Sequence, residues 1–284
     1  MQQPNKEEIL EALSHSGYLF EQEVANIFRG LEFEVLTNWA YEDKDTGKSR
    51  EVDILARKHK YIENDKTKIL INIEVIAECK NNTTPIVLIG NKKVYRKYSP
   101  ALMKLVLFPK QGVTIQIEQN SGAISWITES VYSYSEVIEN HYYNNSKPIS
   151  YQFAKITRKG QKWEAIHDNI YDAMILPIID AIESRVTLHS VYIEKSNIIT
   201  ILVPIIVLKD HLYYVECSEA SPDVQVVDAQ LFERSISSKN HEGSYVIKFI
   251  KYNALKEFIE NEINIFVNKL VSKIEVNPGV FAIH

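Results

Sequence analysis

The chain has 284 residues, of which 45% are hydrophobic and 24% charged, and its formal net charge is −5. This length and hydrophobicity allow a large buried core, which excludes a disordered or fibrous protein. Its two cysteines, Cys79 and Cys217, cannot form a disulfide framework and do not lie in a zinc-site spacing, so we expect a reducing, cytoplasmic location.

The first part of the chain has the pattern of two helices. Residues 1–17 are polar and acidic, which is unlike a secretory signal peptide, and residues 6–13 predict a short amphipathic helix. The stretch GYLFEQEVANIFRGLEF, residues 17–33, has apolar side chains at helical spacing. It predicts a second helix that ends at Gly30.

Three strand patterns follow, at residues 32–41, 50–58 and 69–79, separated by polar turns at 42–49 and 60–68. The third, ILINIEVIAEC, is apolar enough to be central in a sheet. Residues 91–107 predict a partly helical segment that Pro100 interrupts, and residues 112–118 and 122–128 predict two further short strands.

The second half of the chain predicts another set of helices and strands. A long amphipathic helix is expected after residue 150, then strands that turn at Lys209 and Asp210, a polar loop over 218–243, a strand at 244–252 and a final helix at 253–274. The longest apolar run, residues 198–208, is about half the length of a membrane span, so we expect no membrane partner. Residues 131–284 therefore form an accessory α/β module that could complete the core or provide a homodimer or partner-protein interface.

The third strand ends with charged side chains. Because strand side chains alternate between faces, Glu78 and Lys80 share one face, while Cys79 belongs to the apolar face. Asp53 lies within the apolar run of the second strand, where an unpaired carboxylate would be costly and requires a cation or a metal. If the two strands pair as a hairpin, Asp53 and Glu78 could meet beside Lys80 and form an oxygen-ligand pocket suited to Mg²⁺.

These residues resemble the PD-(D/E)xK superfamily of restriction-endonuclease-like nucleases, through Asp53 and the IAECK stretch that ends at Lys80. Val52 stands where many members have proline. The stretch GYLFEQEV resembles the Gly-x-x-Phe-Glu-x-x-Val opening helix of Mrr-like and Holliday-junction-resolvase-like members, with Glu21 as the matching carboxylate. Helical geometry also favours Glu21, because it falls within the apolar arc, and Glu23 is the alternative.

The resemblance implies a mixed sheet flanked by helices in residues 1–130 and Mg²⁺-dependent hydrolysis of DNA phosphodiester bonds, with Mn²⁺ as a substitute metal. It implies that Asp53, Glu78 and the carbonyl of Cys79 hold the metal, that Glu21 completes the site directly or through water, and that Lys80 orients the attacking water. A role in restriction, defence or repair would follow.

The distribution of charge supports a nucleic-acid partner. Residues 44–110 contain fifteen Lys and Arg against seven Asp and Glu, although the whole chain is acidic. Lys92, Lys93, Arg96 and Lys97 are the predicted nucleic-acid-binding residues. Two alternatives stay open: a nuclease-like domain that binds nucleic acid or a partner protein without cutting, and a structural salt-bridge cluster beside an acidic interaction module.

Overall fold

A twelve-stranded mixed β-sheet forms the centre of the molecule. The structure is a computed structural model, and it describes residues 3–43, 47–92, 100–118, 124–145, 148–167, 170–193, 196–217, 221–238 and 241–283. The strands are β1 Glu34–Glu42, β2 Ser49–Glu63, β3 Lys68–Lys80, β4 Ile86–Asn91, β5 Val106–Leu107, β6 Gly112–Glu118, β7 Ile124–Ser130, β8 Ile149–Lys159, β9 Lys162–Ile166, β10 Ile198–Leu208, β11 Leu212–Glu216, β12 Asp223–Val226, β13 Ala229–Ser237 and β14 Glu242–Lys251.

Helices cover both faces of this sheet. They are α1 Lys6–Ser16, α2 Tyr18–Gly30, α3 Pro100–Leu105, α4 Val131–Tyr134, α5 Val137–Asn140, α6 Tyr142–Asn145, α7 Ile170–Met174, α8 Leu176–Ile193, α9 Tyr252–Phe258, α10 Asn264–Val276 and α11 Pro278–Phe281, with a π-helical turn at Ile259–Ile263 joining α9 to α10. The fold is therefore a mixed α/β structure with a large sheet flanked by helices, as the sequence predicts. In the described part of the chain, no helix is long and apolar enough to cross a membrane.

The sheet has the order β1-β2-β3-β10-β14-β13-β8-β4-β11-β12, with β5 paired to β10 and β9 paired to β8, while β6 and β7 form a separate hairpin. β3 lies between β2, to which it is antiparallel, and β10, to which it is parallel. The prediction that this strand is central is confirmed, and both of its faces are buried.

Two apolar clusters pack against the two faces of the sheet. On β3, the alternating side chains Ile73, Val75, Ala77 and Cys79 belong to the cluster that contains α2 and α10. Ile76 points to the other cluster, which contains α7 and α8. Strand alternation therefore fixes which face each residue at the end of β3 can reach.

The two predicted units share one sheet. β10, from the second half of the chain, pairs with β3 over eleven residues, from Ile198 opposite Leu70 to Leu208 opposite Lys80. β4, from the first half, lies between β8 and β11. The segment after residue 130 therefore completes the sheet that carries the strands around Asp53 and Glu78.

Several predicted element boundaries are wrong. The turn predicted at 60–68 is confined to Asn64–Thr67, where the side chain of Asn64 accepts hydrogen bonds from the N–H groups of Lys66 and Thr67. Of the segment predicted to be partly helical at 91–107, Pro100–Leu105 form α3 and Val106–Leu107 form β5, while residues 93–99 lie outside the described residues. The polar loop predicted over 218–243 contains β12 and β13.

The predicted strands at the end of the first half and the final helix are confirmed. β6 and β7 correspond to the two short strand patterns and pair with each other, and the final helix is continuous from α9 through α10. The chain also turns at Lys209 and Asp210 as predicted. However, β11 does not return along β10, because it pairs with β4 and β12 instead.

Candidate active site

Asp53 lies just beyond the last paired residues of the β2–β3 ladder. The ladder ends with Ile54 opposite Ala77, and the next position on each strand brings Asp53 towards Glu78. The carboxylate of Asp53 accepts a hydrogen bond from the backbone N–H of Cys79 at 2.6 Å. Strand pairing and this bond together hold Asp53 against the end of β3.

Asn38, on the neighbouring strand β1, has a left-handed backbone with φ of 52°. The β1–β2 register runs through Thr37 opposite Ile54 and resumes with Trp39 opposite Val52. The irregularity therefore falls at the position that faces Asp53. Asparagine adopts this left-handed backbone conformation more readily than most other residues, so the strain energy at this position is small.

Glu78 and Lys80 form an ion pair, with 2.7 Å between Lys80 Nζ and Glu78 Oε1. Their contact agrees with the prediction that they share a face of β3. Glu78 is only 6% exposed, and its second oxygen, Oε2, is buried without a hydrogen-bond partner among the described residues. An unpaired carboxylate oxygen in this position is costly and leaves a vacant acceptor for a cation or a proton.

A cavity of 540 Å³ opens at this end of the sheet. Among its lining residues are four of the predicted site residues, Glu21, Asp53, Cys79 and Lys80. Glu78 is not among the lining residues, but its buried side chain is bonded to Lys80, which lines the cavity. The remaining lining residues are His15, Ser16, Gly17, Asn81, Asn82, Ile86, Lys155, Ile170, Ala173 and Met174.

Helix α2 supplies Glu21 to the cavity from its first turn. The helix follows Gly17, whose positive φ of 88° allows the sharp change of direction after α1. Glu23, the alternative in the sequence analysis, points elsewhere and forms an ion pair with Lys209 at 2.6 Å. The structure therefore brings Glu21, and not Glu23, to the cavity with Asp53.

The site contains more carboxyl groups than positively charged groups. Burial raises the pKa of Glu78 to about 7, and Asp53 adds to this effect while Lys80 opposes it. Burial likewise raises the pKa of Asp53, although the Cys79 N–H and Lys80 lower it, and burial and Asp53 raise the pKa of Glu21. One lysine does not offset three crowded carboxyl groups, so an additional cation would stabilise their ionised forms.

Cys79 contributes its backbone rather than its thiol. Burial raises the pKa of the thiol well above its ordinary value, and the neighbouring carboxylates raise it further. The sulfur therefore stays protonated and is a poor nucleophile or metal ligand. Its N–H is already bonded to Asp53, which leaves the carbonyl as the group available for the predicted role.

The donor set of the site fits a hard cation that binds oxygen. Asp53 and Glu78 provide carboxylate oxygens, and the unpartnered Oε2 of Glu78 is an available acceptor. In the described ranges, no group of three or more His, Cys, Asp or Glu side chains is arranged to hold a metal ion. A metal here would therefore also require the Cys79 carbonyl and water as ligands, which suits the incomplete protein coordination typical of Mg²⁺.

Lys92 is the described member of the predicted nucleic-acid-binding set, and it does not line this cavity. Lys92 is exposed beyond the C-terminal end of β4, whereas Ile86 at the other end of that strand lines the cavity. The two residues are six positions apart along an extended strand, which corresponds to about 20 Å. Lys93, Arg96 and Lys97 lie outside the described residues.

Two later lysines of the basic segment serve the fold. Lys104 forms an ion pair with Glu183 and donates a hydrogen bond to the Tyr245 hydroxyl at 2.9 Å. Lys110 donates to the backbone carbonyl of Ala282 at 2.8 Å. The positive charge of the segment is thus divided between packing and exposed surface.

Lys155 is the main cavity residue that the sequence analysis missed. It lies on β8 opposite Ile86 of β4, and both residues line the cavity. Asn81 was also missed, and its amide holds the end of α1 by donating to the Ser14 carbonyl at 2.8 Å. The only local signal for Lys155 was the basic run AKITRKGQK, since its place in the cavity depends on pairing between distant strands.

Comparison of the chain with family models, curated proteins and solved structures gave no match in any of the three.

Proposed function

We propose that the chain is a metal-dependent nuclease that hydrolyses DNA phosphodiester bonds, with a restriction-endonuclease-like core of the PD-(D/E)xK type. The observation that carries this proposal is the cavity at the end of β3, which combines Asp53, the Cys79 backbone and Lys80 with a buried Glu78 whose Oε2 has no partner among the described residues. Buried carboxylates with raised pKa values beside a lysine are typical of catalytic sites.

The metal would be Mg²⁺ or Mn²⁺, held by Asp53, Glu78 and the Cys79 carbonyl, with Glu21 acting directly or through water. Such a metal supplies Lewis-acid activation of a phosphate oxygen and of the attacking water. The protein's own part is to hold Asp53, the Cys79 backbone and Glu21 at the cavity and to place Glu78 beside it, bonded to Lys80.

Lys80 has two roles in this proposal. Its ion pair with Glu78 fixes the ammonium at the cavity wall, where 30% of the side chain is exposed. From there the ammonium can orient a water molecule and stabilise the negative charge that develops on the phosphate oxygens. A preorganised cation in a site with little solvent contributes more to such stabilisation than the same charge in water.

The alternative is a nuclease-like domain that binds nucleic acid or a partner protein without cutting. Two observations favour it: no group of three protein side chains in the described ranges is arranged as a metal site, and Lys80 is already paired with Glu78. If this alternative holds, the carboxylates and Lys80 form a neutralised cluster rather than a reaction centre.

Cleavage assays separate the two functions. We expect the purified protein to nick or cut plasmid DNA with Mg²⁺ or Mn²⁺ and to be inactive with chelator. Asp53→Asn should abolish cleavage. Glu51→Gln, which removes an exposed carboxylate two residues away on β2, should retain it.

Linear and single-stranded DNA should be tested beside the plasmid. Absence of cleavage of all three substrates with either metal would favour the binding domain. Cleavage that persists in chelator, or that Asp53→Asn leaves unchanged, would contradict the proposed site.

A further inference from the structure

Strands β8 and β9 form a two-stranded ribbon that extends past the end of the main sheet. β4 pairs with β8 only as far as Lys155, and from Ile156 to Lys159 the ladder partner of β8 is β9. Every residue of β9 is exposed. The ribbon turns at Gly160, whose φ of 63° suits a tight connection.

The ribbon is basic in an acidic protein. Residues 149–167 contain four Lys and Arg, and Glu164 is their one acidic residue. The ion pair between Lys159 and Glu164 is long, at 3.8 Å, and the side chains are 80% and 49% exposed, so it neutralises little charge. A strongly exposed basic ribbon contributes little to the core, which suggests a role at the surface.

The basic face of the ribbon leads directly from the candidate active site. Lys155 lines the cavity with Asp53 and Lys80. Strand alternation places Lys159 on the same face as Lys155, and Lys162 is paired opposite Lys159. Lys155 and Lys159 are four residues apart, or about 13 Å along the strand.

We propose that the β8–β9 ribbon binds double-stranded DNA beside the cavity, with Lys159 and Lys162 on backbone phosphates next to the bond to be cut. This inference rests on the proposed nuclease function and assigns its substrate as a duplex. Charge complementarity and continuity with the cavity both favour the phosphate backbone as the ligand.

Trp163 helps to distinguish a duplex from a single strand. Its ring is 64% exposed and lies opposite Arg158, on the face that alternates away from Lys155 and Lys159. Bases stacked on this ring would be directed away from the lysine row and the cavity. A duplex whose phosphates contact the lysine face of the ribbon requires no contact with Trp163.

The test measures binding of a fluorescein-labelled DNA duplex of about 30 base pairs, long enough to cover cavity and ribbon. Ca²⁺ replaces Mg²⁺ so that DNA is bound but not cut. We expect Lys159→Ala/Lys162→Ala to weaken binding about tenfold and to reduce the salt dependence by about two phosphate contacts.

The matched control is Lys66→Ala/Lys68→Ala, which removes the same charge from exposed residues at the opposite end of the β2–β3 hairpin. It should bind within about twofold of the wild type, and the charge-preserving Lys159→Arg/Lys162→Arg should retain affinity. Equal weakening by the two alanine pairs would overturn the proposal, because the effect would then reflect net charge alone. Unchanged duplex binding by the ribbon pair would also overturn it.

A single-stranded probe tests the alternative ligand. If Trp163→Ala weakens single-strand binding about tenfold while the ribbon lysines do not affect duplex binding, the ribbon is a stacking platform and the proposal is wrong. Failure of this inference is distinguishable from failure of the nuclease function. If duplex binding depends on the ribbon lysines but no DNA is cut in Mg²⁺, the DNA-binding role of the ribbon is supported and the nuclease function is contradicted. If DNA is cut in a metal-dependent way and the ribbon lysines affect neither binding nor cleavage, the nuclease function is supported and the role of the ribbon is contradicted.

Discussion

At the scale of single residues, the character of the site depends on how burial acts on its carboxyl groups. Burial raises the pKa of Glu78 to about 7, while Lys80 alone does not bring it back to its ordinary value. In the metal-free protein the folded state therefore binds this proton more tightly than the unfolded chain does. The contribution of Glu78 to stability should decrease as the pH rises from about 4.5 to about 7.

A metal must displace that proton, which makes its affinity depend on pH. With a pKa of about 7 for Glu78, Mn²⁺ should bind about tenfold more weakly at pH 6 than at pH 8. Calorimetry in buffers of different ionisation enthalpy would measure both the affinity and the released proton. The Glu78→Gln variant should bind Mn²⁺ weakly at both pH 6 and pH 8. Equal Mn²⁺ affinity of the wild type at the two pH values would contradict this account.

The residues that sequence analysis could identify are those whose position follows from local periodicity. Strand alternation placed Glu78 and Lys80 on one face, and they form an ion pair. Helical periodicity favoured Glu21 over Glu23, and Glu21 lines the cavity. Lys155 could not be found in this way, because it reaches the cavity through pairing with β4, about 70 residues earlier in the chain.

At the scale of elements, a buried polar cluster ties α8 to the centre of the sheet. Arg185 of α8 forms a bidentate ion pair with Glu74 of β3, which is fully buried. His189 contacts the same carboxylate at 3.3 Å, and Asn72 donates to it at 2.8 Å. The cluster lies on the same face of β3 as Glu78, because Glu74 and Glu78 are four residues apart and side chains alternate between faces.

Breaking this cluster should destabilise the fold. Burial raises the pKa of Glu74, but hydrogen bonds from His189 and Arg185 outweigh it and lower the pKa to about 2. Glu74→Gln leaves Arg185 buried without its counter-charge, and we expect a loss of about 3 kcal/mol in the free energy of unfolding at neutral pH. Urea unfolding measures the loss.

The matched control is Glu63→Gln, which removes a carboxylate from an exposed ion pair with Lys68 on the same two strands. Its effect should stay within about 0.5 kcal/mol. The stability advantage of Glu74 is complete above pH 4.5 and is lost as the pH falls towards 2. The wild type and Glu74→Gln should therefore converge over that range, and a constant difference would show that ionisation of Glu74 is not the cause.

Element prediction succeeded where apolar periodicity was strong. The patterns of β3, α2 and the final helix each gave the correct type of element. Prediction failed for β12 and β13. β12 is an exposed strand of only four residues, too short for its alternation of Val224 and Val226 to stand out, and β13 has few apolar residues beyond Leu231 and Phe232 in a polar stretch. The turn before β3 was predicted too long because the strands extend through charged residues at their exposed ends.

At the scale of the whole molecule, the site depends on strands that are distant in sequence. β10 follows β3 by more than a hundred residues and yet pairs with it up to Lys80. Local patterns indicated that both strands are buried, but they did not contain the information that the two are neighbours. The prediction of a core in residues 1–130 with a second module that could complete it did not identify β10 as the strand that pairs with the one carrying Glu78.

This arrangement predicts that residues 1–130 do not fold alone. Without β10, an apolar edge of β3 and its buried side chains would be exposed along eleven residues. We expect the fragment to aggregate or to lack a cooperative unfolding transition, while the whole chain unfolds cooperatively by circular dichroism. A fragment that is monomeric and unfolds cooperatively would contradict the shared sheet as a condition for folding.

The most direct test of the proposed active site compares Lys80→Ala with Glu78→Gln in single-turnover cleavage while the concentration of Mg²⁺ is varied. At saturating metal and at a pH well above the pKa of Glu78, Lys80→Ala should reduce the rate about 100-fold, equivalent to about 3 kcal/mol, with DNA binding nearly unchanged. Glu78→Gln should weaken metal binding, because an amide is a poorer ligand for a hard cation than a carboxylate, and added metal should partly restore its rate. The account is contradicted if added metal restores Lys80→Ala as fully as Glu78→Gln, or if Glu78→Gln binds DNA more tightly while the wild-type protein cuts no substrate with either metal.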